Sequence, residues 1–239
     1  KVSAYVMIRF LFTILGVELS FAKLPTGQIL LFCASFAILV GSYLATRQSS
    51  LKRMLAYSSV AQMGYITLGF ALANESGLTG SIIHIFNHAL MKSGLFLVAG
   101  IIIFGVGEAD LDHMRGLGRR MPFTMAAFTA GGLGLIGAPL TAGFISKWYL
   151  VMGAIHSGQM LLAAVVLFGS LLAVVYVWRM VETIYFQSPR GSGGEVSEAP
   201  WALVLPAWVL IGASLYFGLD ASLSTKLAGQ AARLLLGAP

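Results

Sequence analysis

The chain has 239 residues, 58% of them hydrophobic and only 10% charged, with a mean hydropathy of +0.86 and a formal charge of +6. This balance excludes an ordinary soluble domain, and apolar runs recurring along nearly the whole length exclude a pair of separate globules. The basic residues are scattered or set between apolar runs, and the lone Cys33 lies inside one, so neither a nucleic-acid partner nor a cysteine metal site or disulfide framework is expected.

The chain opens KVSAYVMIRFLF, without an initiator Met or a signal-peptide pattern, and already inside an apolar segment. A membrane span needs about 20 residues, so the sequence reads as the C-terminal part of a longer protein. Apolar blocks follow at about 1–19, 28–46, 54–73, 79–105, 122–155, 160–187 and 201–219. Runs this continuous do not alternate as barrel strands do, which predicts an all-α, polytopic transmembrane bundle of about 7 spans. Arg47, Lys52, Arg53, Arg115, Arg119, Arg120 and Arg190 fall in loops on one side, with Lys23 alone opposite, so the basic side is expected to be cytoplasmic. The loops around Asn74 and His156 then lie outside. The connector at 188–200 reads as flexible. Residues 1–219 are expected to form the membrane domain, and 220–239 a short extracytoplasmic tail whose Leu223, Leu227, Leu234 and Leu235 are spaced for an interfacial helix.

The block from Pro122 to Ile155 is too long for one crossing. As a continuous helix it would run roughly 50 Å at 1.5 Å per residue, against a hydrocarbon core of roughly 30 Å. Gly131, Gly132, Gly134, Gly137 and Pro139 cluster at its centre, which predicts a discontinuous helix broken around Gly137 and Pro139; a kinked or tilted helix is the alternative. Lys147 follows the break by about two turns. An ammonium at bilayer depth costs several kcal/mol unless it is hydrated or paired, so an amine there is suited to exchanging its proton; snorkelling beside Trp148 and Tyr149 is the competing reading.

His84, His88 and Lys92 recur every four residues and form one polar stripe on an otherwise apolar helix. Histidine exchanges protons near neutral pH through either ring nitrogen, which suits a relay. Interhelical hydrogen bonding is one alternative. A metal site is another, but no third ligand stands at a supporting spacing. Lys1 lies in the first span, with Arg9 two turns on. Other patterns carry less. GLGLIG at 132–137 matches a dinucleotide fingerprint but lies in a span and follows no strand. Ser58, Ser59 and Ser146 suggest an intramembrane hydrolase only distantly, without a nucleophile elbow. Glu182 reads as interfacial beside Arg179, and Glu108, Asp110 and Asp112 as a solvated loop. No cofactor is expected.

Three separated motifs, LKRMLAYSSVAQMGYI (51–66), HIFNHALMKSGLFLVAG (84–100) and GLIGAPLTAGFISKWYL (134–150), resemble in order and spacing the antiporter-like membrane subunits shared by respiratory complex I and the Mrp multisubunit cation/proton antiporters. The resemblance covers about residues 1–219. It implies a full subunit of fourteen helices built from inverted five-helix repeats, with this chain supplying the eighth helix onward. By the same resemblance Lys1 corresponds to a central lysine linking two half-channels, His84, His88 and Lys92 to the polar line of the eleventh helix, and Lys147 to the terminal lysine of a broken twelfth. The middle antiporter-like subunit of complex I carries glutamate at the last position, which disfavours it. The combination of NHALMK with the 121–150 segment is most similar to D subunits of bacterial Mrp antiporters, with complex I subunits close behind. The resemblance thus implies a proton-translocating subunit in a bacterial plasma membrane, with other subunits, protons, Na+ and the lipid bilayer as expected partners.

Overall fold

The structure, a computed structural model, describes residues 1–189 and 196–237; Arg190 and the 190–195 part of the connector lie outside the described residues. Every apolar block becomes helical, since in lipid only intrahelical bonds satisfy the backbone within one segment. In chain order the elements are α1 (Val2–Arg9), continued by a π-helical turn over Phe10–Ile14, a second π-helical turn over Glu18–Lys23, α2 (Thr26–Thr46), α3 (Leu51–Ala71) and α4 (Glu75–Val106). Then come α5 (Leu117–Arg120), α6 (Pro122–Ile136), α7 (Ala142–His156), α8 (Met160–Phe186), α9 (Trp201–Leu219) and α10 (Ser222–Leu236). Among the described residues the sole β feature is an isolated bridge between Ser50 and Asp110.

Four helices, α2, α4, α8 and α9, are each long and apolar enough to cross a membrane. The other expected spans depart from that standard for visible reasons. α3 has the length but carries Lys52, Arg53, Ser58, Ser59 and Gln62. The first is a short apolar piece, and the fifth is divided into α6 and α7. α4 runs through the middle, packing on α3, α7, α9, α6 and α10. Outward faces are apolar as well, with Phe32, Phe36, Leu161, Leu171, Leu205 and Val209 exposed, as a lipid-facing surface requires. The chain is therefore a multi-pass membrane protein with an all-α fold.

Loop contacts sort the two ends. At one, Leu51 N donates to Ala109 O (2.8 Å), Leu111 N to Ser49 O (2.9 Å), and Arg179 to the carbonyl of Thr46 (2.8 Å), gathering the loops that hold Arg47 and Arg115 with the start of α3 that holds Lys52. Arg179 thus ties α8 to the end of α2. At the other end, Asn74 caps α4 by accepting from Gly77 N (2.7 Å) and donates to Gly153 O and Ser157 Oγ (2.7 Å each). Arg233 of α10 pairs there with Glu75 (3.1 Å). The connector gains a definite task at its described end, because Glu198 accepts from Phe123 N (2.8 Å) and from Thr124 N and Oγ1 at the start of α6, where free N–H groups and the helix dipole favour a carboxylate.

Candidate functional site

The break predicted around Gly137 and Pro139 is present, and its geometry explains the sequence. α6 ends at Ile136, and Gly137 takes a left-handed conformation (φ 82°) that an L side chain resists. Leu140, at φ 69°, turns the chain again before Thr141 and the start of α7. A Cβ on Gly143 would collide with the carbonyl oxygen of Gly134, so the two half-helices approach at backbone contact only because that residue is glycine.

Ending α6 inside the bundle frees its last carbonyls. Lys147, on the second turn of α7, folds back onto them: Nζ donates to Leu135 O at 2.9 Å and Ile136 O at 2.8 Å. Its side chain is not snorkelling, being 6% exposed and over the Tyr65 ring at 4.8 Å. The carbonyl end of a helix is the negative pole of its dipole and suits a cation. A neutral amine has two N–H groups and an ammonium three, so both forms satisfy the two carbonyls.

His84, His88 and Lys92 are buried at 0%, 2% and 4% exposure, on the face of α4 turned to α3 and the break. His84 Nδ1 lies 2.8 Å from Ser146 Oγ, next to Lys147 in sequence, and Nε2 lies 2.7 Å from Gln62 Oε1. The His84 and His88 rings stack at 6.0 Å between centroids. Among the described residues neither ring nitrogen of His88 meets a hydrogen-bond partner. Lys92 Nζ donates to Leu55 O (2.6 Å) and Ser58 Oγ (2.5 Å). Asn87 links the stripe to the break by donating to Ala142 O (2.8 Å).

Lys1 stands apart from this closed line. It is exposed, at the rim of a cavity of about 1060 Å³ shared with Arg9, Ile82, Ile85, Phe86 and Ala89. Glu108, Asp110 and His113 bring ligand atoms within 4.8 Å of one another on an exposed loop, a grouping common on solvated surfaces without an ion.

Several participants carry a weaker signal in the sequence. Ser58, Gln62 and Tyr65 repeat at i, i+4 and i+7 on α3, the same helical period that exposed the stripe on α4. Their pattern was legible, but α3 also carries Tyr57 and Ser59, so polarity alone did not separate the inner face. Tyr176 of α8 has no periodic signal; its hydroxyl is turned towards Ser58 and Gln62 without closing a hydrogen bond. Ser146 does form the serine–histidine contact a hydrolase needs. The group on the far ring nitrogen, however, is the Gln62 carboxamide rather than a carboxylate.

Lysines and histidines enclosed in a multi-pass bundle beside a broken helix are features found at ion sites within membrane spans. Comparison makes the assignment narrower: the family described as NADH:quinone oxidoreductase/Mrp antiporter, transmembrane, matches residues 1–173, and the chain belongs to that family. It is 43% identical over 217 residues, 88% of its length, to NADH-quinone oxidoreductase subunit N of Desulforudis audaxviator, and 37% identical over 205 residues, 82% of its length, to F(420)H(2) dehydrogenase subunit N of Methanosarcina mazei. It spans 43% and 41% of these relatives. Among solved structures, a chain of the Mrp complex from Dietzia sp. superposes with a TM-score of 0.89 at 24% identity, over 98% of this chain and 51% of that one. A chain of the archaeal membrane-bound sulfane sulfur reductase gives 0.87 at 30% identity, over 99% and 47%.

Proposed function

We propose that this chain forms one proton-conducting half of an antiporter-like subunit, with His84, His88 and Lys92 passing protons between Lys1 and Lys147. The observation that carries the reading is Lys147 seated on the two carbonyls freed by the break, which both protonation states of the amine can satisfy. In either protonation state the amine supplies a hydrogen to each carbonyl, so losing or regaining a proton leaves neither carbonyl unpaired. The line of Ser146, His84, Gln62, Ser58 and Lys92 supplies polar groups through an otherwise apolar interior.

Coupling to electron transfer in a quinone-reducing or related respiratory membrane complex is the leading assignment, because identities of 43% and 37% are to N subunits of such dehydrogenases. Coupling to Na+ in an Mrp-type antiporter is the second reading, favoured by the Dietzia superposition and by the NHALMK combination. Both place the chain among partner subunits in a membrane, and its bacterial relatives support the bacterial plasma membrane.

The test uses the full-length subunit in its complete complex, reconstituted in vesicles with a pH-sensitive dye. Lys147→Ala should lower proton transport at least tenfold while the complex still assembles; transport at the unsubstituted rate overturns the role of Lys147. Acidification driven by an electron donor supports the redox coupling, whereas acidification or alkalinisation driven only by a Na+ gradient supports the Mrp coupling.

A further inference from the structure

Within that reading, the hydrogen bonds around His84 determine on which side its ring accepts a proton, and they do so through a residue outside the α4 stripe. Gln62 reaches His84 Nε2 with Oε1 at 2.7 Å, and its amide nitrogen faces Leu135 O at 3.5 Å. That carbonyl can only accept, and it already receives Lys147 Nζ at 2.9 Å. Turning the carboxamide over would set two oxygens, neither carrying a hydrogen, against each other in a buried space. The side-chain oxygen therefore faces the histidine. An oxygen that only accepts requires a donor opposite, so Nε2 carries the hydrogen. In neutral imidazole the other nitrogen is then bare. Nδ1 meets Ser146 Oγ at 2.8 Å, shorter than that hydroxyl's contacts to Gly143 O (3.1 Å) and Ala142 O (3.4 Å). The serine proton accordingly points at the ring.

We propose that Gln62 is a positioning residue that holds His84 in its Nε2–H tautomer, so that the ring accepts a proton only at Nδ1, from Ser146 on the Lys147 side. In the step itself the Ser146 hydroxyl proton forms the new bond at Nδ1. Ser146 Oγ is reprotonated in the same step by an incoming hydronium or ammonium ion, whose O–H or N–H bond breaks, and the imidazole becomes imidazolium. Release from Nε2 is obstructed, because a carboxamide oxygen accepts a hydrogen bond but is far too weak a base to take the proton. His84 thus returns its proton towards Ser146 unless Gln62 swings away. Gln62 thereby gates the step from His84 along α3 towards Ser58 and Lys92, which proceeds only when its carboxamide turns away from Nε2.

This inference rests on the conduction reading for its importance but not for its test. Nitrogen-15 spectra of histidine-labelled full-length complex, with the His84 signals identified by their loss in His84→Asn, report the tautomer directly. The expected wild-type state is one neutral form with a bare Nδ1, shifting in Gln62→Leu to a mixture that includes bare Nε2. A wild-type ring with bare Nε2, or one protonated on both nitrogens at pH 8, overturns the proposal, and this measurement needs no variant of Gln62 to assemble. An unchanged tautomer in an assembled Gln62→Leu complex overturns it equally. Gln62→Glu, whose carboxylate can take the proton, should alter the pH profile of transport, and an unaltered profile counts against the block at Nε2. Transport surviving in His84→Asn would sink conduction through His84 while leaving the tautomer assignment standing.

Discussion

Lys147 and Lys92 solve the same residue-scale problem in the same way: each buried amine donates to two acceptors supplied by neighbouring backbone or hydroxyl oxygens. Replacing Lys147 by Arg keeps a cation but substitutes a planar group that does not release its proton in proteins. The expected result is a complex that assembles with proton transport at background, read by dye acidification in vesicles; transport at half the normal rate or better would show that a fixed charge suffices. For Lys92 the informative change is Ser58→Ala, which removes one of two acceptors. Leaving a buried donor unsatisfied costs about 1–3 kcal/mol, so the thermal unfolding midpoint of the complex should fall measurably, and an unchanged midpoint would show that Lys92 is held by Leu55 O alone. The α4 stripe was legible at this scale because a polar residue every four positions in an apolar helix is conspicuous. Gln62 and Tyr176 were not, because their importance lies in what faces them across helices.

Among the elements, the broken helix depends on its glycines. Gly137 sits at a left-handed φ, and a Cβ there would also come within 2.9 Å of Lys147 Cδ. A non-glycine residue pays about 1–2 kcal/mol for such a conformation. Gly137→Ala should therefore destabilise the fold by at least that amount and lower transport, since the Lys147 chain must move; a stable, fully active variant would show that the break tolerates a side chain. The start of α6 offers a cleaner test of helix capping. Glu198→Ala removes a carboxylate from the N-terminal amides, a loss typically of about 1 kcal/mol, visible as a lower unfolding midpoint with transport largely kept. At the other end of the bundle, hydrogen bonds from Ser222 hold the Asp220 carboxyl below the usual carboxylate range. The contact at the start of α10 is present above that range and is lost as pH falls through the lowered value. The sequence showed where α6 and α7 must part, since one helix of that length cannot fit the bilayer. It did not show that the connector at 188–200 would return a carboxylate to cap α6.

At the scale of the whole molecule, the two sets of loops occupy opposite ends of the bundle, and the sidedness expected from arginines and lysines assigns the basic end to the cytoplasm. With Cys33→Ser as background, single cysteines at Arg53 and Ser157 should react with an impermeant maleimide from opposite faces of the membrane. Labelling of both from one face would overturn the arrangement. α10 buries Ala228 and Ala232 against the bundle and turns Leu223, Leu227 and Leu234 outward, whereas Leu235, grouped with them in the sequence, packs half-buried against the core around Ala232. Hydropathy by itself determined the membrane class, the helical fold, the positions of the spans and the break, because these depend on local length, period and the cost of polar groups in lipid. It also singled out Lys1, His84, His88, Lys92 and Lys147 as titratable groups within the apolar blocks. Only the tertiary structure decided their partners: Lys147 on the carbonyls of Leu135 and Ile136, His84 between Gln62 and Ser146, His88 without a partner among the described residues, and Lys1 at the rim of an open cavity. Hydrogen bonds between helices depend on which faces are brought together across 11 to 73 residues of chain, and no local pattern encodes that pairing.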